Sequence, residues 1–154
     1  MKLFLYAVFL LCGGSLFAAG SVSETRESID PPQKITLAWT AALDGTVAVT
    51  SQPVRGEMNR VVFYNGSPGP TNATYAVTLK DESGIDVLAG RGSAVASNAV
   101  GSASQIVPGI LSVTTAGVTN LMPVVVNGKL SLALSGVGTN ATAGKQGTVI
   151  IYVK

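Results

Sequence analysis

The stretch Leu121 to Ser135, LMPVVVNGKLSLALS, constrains the fold more than any other. Two apolar runs flank Asn127-Gly128, and Asn-Gly between such runs is the strongest short-range signal of a β-hairpin. A type I′ turn needs positive φ at both central residues, which Asn and Gly tolerate at least steric cost. The spacing therefore predicts two antiparallel strands joined at Asn127-Gly128. The rest of the chain repeats the theme of short β-branched runs separated by Gly, Asn, Asp and Pro. Outside the first twenty residues no stretch keeps the 3.6-residue apolar period of an amphipathic helix.

In chain order, Lys34 to Trp39 alternates Ile35, Leu37 and Trp39 against Lys34, Thr36 and Ala38, the pattern of a half-buried strand. Asp44-Gly45 and the run Thr46 to Thr50 predict a second hairpin. Pro53 and Gly56 interrupt the pattern before Arg60 to Tyr64, a dense run expected at a sheet centre. Asn65 to Pro70 holds two Gly and two Pro and reads as a loop. Ala73 to Lys80 alternates with Tyr75, Val77 and Leu79 on one face. A turn follows at Asp81 to Gly84, then a strand at Ile85 to Leu88. Ala89 to Ser104 is poor in bulky residues and suits a long loop or a closely packed surface. Ile106 to Thr114 suggests a short strand around Pro108, Gly136 to Gly147 a small-residue loop, and Thr148 to Val153 a closing strand.

These runs predict an all-β fold, an antiparallel β-sandwich or jelly-roll-like barrel of about seven to nine short strands. The expected core is Leu37, Trp39, Val61, Phe63, Tyr75, Val77, Leu79, Leu130, Leu132, Leu134, Ile150 and Tyr152. The expected organisation is a hydrophobic leader over 1–20, a flexible or extended polar arm over 21–33 ending at Pro31-Pro32, and the β-domain over 34–154. The leader carries Lys2, an apolar run from Leu3 to Leu11, and Ala18-Ala19-Gly20, which fits signal-peptidase cleavage before Ser21. That run is too short to span a bilayer comfortably, so export is the expectation. A lipoprotein site at Cys12 is disfavoured by bulky Leu11. A retained anchor and a start-site artefact are the other readings, and any contact with a membrane is expected through the leader alone.

The chain has no histidine, which removes the commonest general base and metal ligand, and its one cysteine, Cys12, lies in the leader. Stability must come from packing and strand pairing. All eight acidic residues lie at or before Asp86, and the formal charge of +2 is scattered, so no nucleic-acid partner is expected. Asp81, Glu82 and Asp86 are hard-oxygen candidates for Ca²⁺, but their spacing matches no EF-hand and they read first as turn formers. Gly90-Arg91-Gly92 lacks the strand–loop–helix context of a phosphate loop. Asn65, Asn72 and Asn140 each begin an Asn-x-Ser/Thr sequon. Trp39, Tyr64, Tyr75 and Tyr152 leave few aromatics spare for a carbohydrate-binding module, since alternation places most of them in the core. No residue is assigned as catalytic, cofactor-binding or metal-ligating. Neither an enzyme, a cofactor nor a small-molecule substrate is expected.

From Ala73 to Gly92 the sequence ATYAVTLKDESGIDVLAGRG resembles a stretch of small virion structural proteins of tailed bacteriophages, with the pattern Y-x-V-T-L-x-D followed by G-x-D-V-L-x-G-x-G. The resemblance extends in order from Lys34 to Lys154. It takes in Ile35-Thr36-Leu37-x-Trp39-Thr40, Gly128-Lys129-Leu130-Ser131-Leu132 and Lys145-Gln146-Gly147-Thr148-Val149-Ile150-Ile151-Tyr152-Val153. It implies a place in a virion, as a head-decoration, minor capsid or tail-associated protein, with other virion proteins or copies of itself as partners. The leader supports the alternative of a secreted or surface-exposed bacterial β-sandwich of adhesive or pilus-like type.

Overall fold

The computed structural model describes residues 20–27, 32–97, 103–108, 110–111, 121–138 and 144–154. The leader through residue 19 and the sequon at Asn140 lie outside the described residues. The strands are β1 (Ser21–Glu27), β2 (Gln33–Thr40), β3 (Val47–Thr50), β4 (Val54–Asn65), β5 (Thr74–Lys80), β6 (Val95–Ala96), β7 (Ala103–Ile106), β8 (Ile110–Leu111), β9 (Leu121–Met122), β10 (Val124–Gly128), β11 (Ser131–Ser135) and β12 (Gln146–Val153). Every pairing between them is antiparallel.

A six-stranded sheet runs β1-β2-β12-β4-β10, with β7 sharing the far side of β4. A four-stranded sheet runs β3-β11-β5-β6, and β8-β9 forms a separate ribbon. The first two sheets put ten strands into an open sandwich, one more than the upper end of the sequence expectation.

Period-2 alternation builds the interior. Ile35, Leu37 and Trp39 from β2, Val61 and Phe63 from β4, and Val149 and Ile151 from β12 line the large sheet. Tyr75, Val77 and Leu79 of β5 and Leu132 and Leu134 of β11 line the small one, and both sets belong to one core. Trp39 and Tyr75 meet across the layers with ring centroids 6.5 Å apart.

Both expected hairpins are instead crossings between sheets. Asn127-Gly128 joins β10 of the large sheet to β11, the strand between β3 and β5 of the small sheet. Gly128 has φ 149°, whereas Asn127 is not among the positive-φ residues, so the type I′ geometry is absent. Leu130 is held to the end of β3: its N–H donates to Ser51 Oγ at 3.0 Å and its carbonyl accepts from Ser51 N–H at 2.8 Å. A hairpin would have removed β11 from the position where Leu132 and Leu134 fill the core. Asp44-Gly45 likewise carries the chain from β2 in the large sheet to β3 in the small one. Asp44 accepts from the N–H and the hydroxyl of Thr46 at that corner.

Four further expectations need correction. Ile150 and Tyr152 lie on the outer face, and Val149, Ile151 and Val153 face inward. TVIIYV is apolar at both parities, so alternation cannot choose; pairing of Val149 with Leu37 and Phe63, and of Ile151 with Ile35 and Val61, decides. Ile85 to Leu88 is not a strand but an isolated antiparallel bridge of Asp86 to Lys80 followed by turns, because the Asp86 carboxylate accepts from the N–H groups of Leu79, Leu88 and Gly90 at 3.3, 3.1 and 2.9 Å. The arm is not a free linker: residues 21–27 pair with β2 along their whole length. Gly56, read as an interruption, lies inside β4 opposite Val126.

Candidate interaction surfaces

A strand at the edge of a sheet presents unpaired backbone N–H and C=O groups, and proteins protect such edges with charge, brevity or cover. At β1 the protection is charge. Arg26 donates to the carbonyls of Gln52 and Pro53 at 2.7 and 2.8 Å, and its Nε to Glu24 Oε1 at 2.6 Å. Glu24 in turn accepts from Gln52 N–H at 3.0 Å. The strand is thereby fastened to the connection between β3 and β4. The edges of the small sheet are short, four residues at β3 and two at β6.

At β10 the only protection among the described residues is at its C-terminal end, where the Asp81–Ser83 turn lies against it and the Glu82 carboxylate accepts from Lys129 N–H. The strand itself, VVVNG, carries no charge. Val124 and Val126 enter the core, which turns Val125 outward at 74% exposure, the most exposed of the large hydrophobic side chains described. On the same side of β4, Val107 is 51% exposed. Val107, Pro108 and Pro123 line a small notch of about 140 Å³ together with Glu57, Met58 and Asn59, where β7 and β10 share the side of β4.

The opposite end of the large sheet carries a different surface. On its outer face, Ser21, Thr40 and Gln146 form one cross-strand row and Ser23, Ala38 and Thr148 the next. With Gly66 and the backbone of Val22, Trp39 and Gly147 they surround an open concavity of about 380 Å³. Further along that face, Arg60 stacks over the Tyr152 ring at 4.1 Å. Lys34 is paired with Glu27 at 2.9 Å. That hydrogen bond, more than the Glu27 charge alone, holds the Lys34 amine above its ordinary pKa. Tyr64 is 38% exposed on the same face. Two of the four Trp and Tyr residues considered for sugar binding therefore lie outside the core.

The acidic residues are spread over separate backbone partners. Asp81 accepts from Ser83 and Ile85 N–H, both at 2.9 Å, and Glu82 accepts from Lys129 N–H at 2.9 Å. Together with the three bonds to Asp86, these make the cluster a set of turn fasteners. Among the described residues no three of His, Cys, Asp and Glu are grouped to hold a metal ion. Gly90-Arg91-Gly92 belongs to the same turn series, with Arg91 Nε donating to Leu88 O at 3.2 Å. The Thr46 hydroxyl, followed by the Thr46 N–H, holds Asp44 below the usual carboxylate pKa. Burial pushes the Tyr75 phenol up to about 12. Asn65 is buried, and its Oδ1 accepts from the Tyr75 hydroxyl at 3.4 Å, so this sequon is closed to an enzyme. Asn72 is exposed and donates to Gly136 O at 2.6 Å.

The sequence reading did not single out Val125 or the concavity. Three consecutive valines between Pro123 and Asn127 carry a signal for the first, since alternation must send the middle one to the face opposite its neighbours. The second had no local signal, because β1, β2 and β12 are brought together only by sheet topology. Comparison of the chain with family models, with curated proteins and with solved structures finds no match.

Proposed function

We propose that this chain is a non-enzymatic structural component of a bacteriophage particle, a head-decoration, minor capsid or tail-associated β-sandwich that assembles with virion proteins or with further copies of itself. The observation that carries the reading is the uncharged edge strand β10, from which Val125 projects at 74% exposure, with Val107 exposed at the notch beside Pro123. An uncharged edge strand pairs readily with another strand. Burying one valine contributes about 1–2 kcal/mol, a modest amount that a lattice multiplies over many identical contacts. The virion resemblance over Lys34 to Lys154 supplies the setting.

The test is mass spectrometry of purified particles combined with Val125→Lys. The expected result is stoichiometric abundance of the wild-type chain and loss of V125K from particles, with V125K still folded. Val125 is on the surface, so the substitution itself should change stability by no more than about 0.5 kcal/mol. Absence from particles, with a chain starting at Ser21 in the periplasm or medium, would instead establish the secreted β-sandwich reading that the leader Met1 to Gly20 favours.

A further inference from the structure

We propose that the concavity between β1, β2 and β12 is a binding site for a neutral saccharide unit of a glycan. At about 380 Å³ it falls in the range of roughly 300–1,000 Å³ typical of small-molecule sites. Among the described residues no charged side chain lines it. That argues against phosphate, carboxylate and ammonium ligands, whose affinity depends on charge-assisted hydrogen bonds.

Five hydrogen-bonding side chains converge there: Ser21, Ser23, Thr40, Gln146 and Thr148. Toward the described residues none of the five makes a side-chain hydrogen bond, while elsewhere Ser51, Thr46, Ser97 and Asn72 are all engaged. Hydroxyls and a carboxamide both donate and accept. Such a set matches vicinal sugar hydroxyls, which do the same. At the centre of the second row the floor is Ala38, an exposed residue with only a methyl group, so a pyranose ring can lie against the sheet there. The open outer side suits one residue of a longer glycan better than an enclosed metabolite.

This inference is independent of the particle assignment, since the site lies at the edge opposite β10. The test is a glycan array carrying neutral and anionic oligosaccharides, probed with the full chain, followed by titration of the best neutral binder. Ala38→Trp fills the floor from an exposed strand position, and Thr148→Ala removes one hydroxyl without adding bulk. The expected result is binding to at least one neutral glycan, weakened at least about tenfold by A38W, equivalent to 1.4 kcal/mol, and measurably weakened by T148A. Circular dichroism of both variants checks that the fold is retained. Three outcomes overturn the proposal: no neutral glycan bound, anionic glycans bound alone, or neutral binding unchanged in both variants.

Discussion

Gly147→Ala sets two known effects against each other. Gly147 lies in β12, opposite Trp39 on one side and Asn65 on the other. A Cβ placed there would run into Trp39 Cζ2 and lie 2.7 Å from Cε2 and 2.7 Å from the Tyr64 carbonyl oxygen. The indole is almost wholly buried and packs against Tyr75, and the carbonyl belongs to the neighbouring strand, so neither can withdraw easily. Overpacking of this kind costs about 1–3 kcal/mol. Replacing a strand glycine with alanine returns about 0.5–1 kcal/mol through the unfolded chain. The clash wins, and the net loss is about 1–2 kcal/mol. With a urea m-value of about 2 kcal/mol/M, the midpoint should fall by roughly 0.5–1 M at unchanged m. Trp39→Phe, destabilising alone, should relieve the clash, giving a favourable coupling of about 1 kcal/mol in the double-mutant cycle. A G147A protein as stable as wild type, or a cycle with zero coupling, would refute the placement of Trp39 beneath β12.

Asp86→Ala removes the acceptor of three backbone N–H groups and should cost about 1–3 kcal/mol, read as a lowered thermal midpoint, with Asp86→Asn recovering part of it. Arg26→Ala releases β1 from the carbonyls of Gln52 and Pro53, so hydrogen exchange over Ser21–Glu27 should accelerate while global stability falls by about 1 kcal/mol or less; unchanged exchange would show that β1 does not depend on the clamp. The Tyr75 pKa is raised in the folded state, so its contribution to stability is intact below the ordinary phenol value. That contribution is lost as the pH climbs from 10 toward the folded value of about 12. Denaturant midpoints across that window should fall for wild type and fall less for Tyr75→Phe.

The β-class, the strand at Thr74–Lys80 and most of the core were legible because alternation is a local property. Tyr75, Val77 and Leu79 announce their face within seven residues. What was not legible depended on pairing across long separations. Asn127-Gly128 carries a hairpin signal and is nonetheless a crossing, because Ser51, far earlier in the chain, anchors Leu130 to the other sheet. Asp44-Gly45 fails for the same reason. In TVIIYV either parity is apolar, and only the neighbours Leu37 and Phe63 select Val149. Asp86 overrides the strand propensity of Ile85 to Leu88 with three hydrogen bonds that no periodicity analysis counts.

The two surfaces differ in how a sequence can conceal them. Four inter-strand spacings separate β1 from β10, roughly 19 Å at the usual strand separation, so one contact need not cover the other. At β10 the exposed valine follows from its own neighbours: Val124 and Val126 must point inward to reach the core, which commits Val125 to the outside. The concavity has no such local cause. Ser21 and Ser23 precede Thr40 in the chain, and Gln146 and Thr148 come more than a hundred residues later. Each is unremarkable as a polar residue on an outer strand face. They become a set only because β2 pairs with β1 on one side and β12 on the other, in registers that align Ser23, Ala38 and Thr148. Small or hydroxyl-bearing residues in these rows are what leave room between the strands, and a single large side chain at Ala38 would close it. That is why Ala38→Trp and Val125→Lys probe separate properties of one sheet.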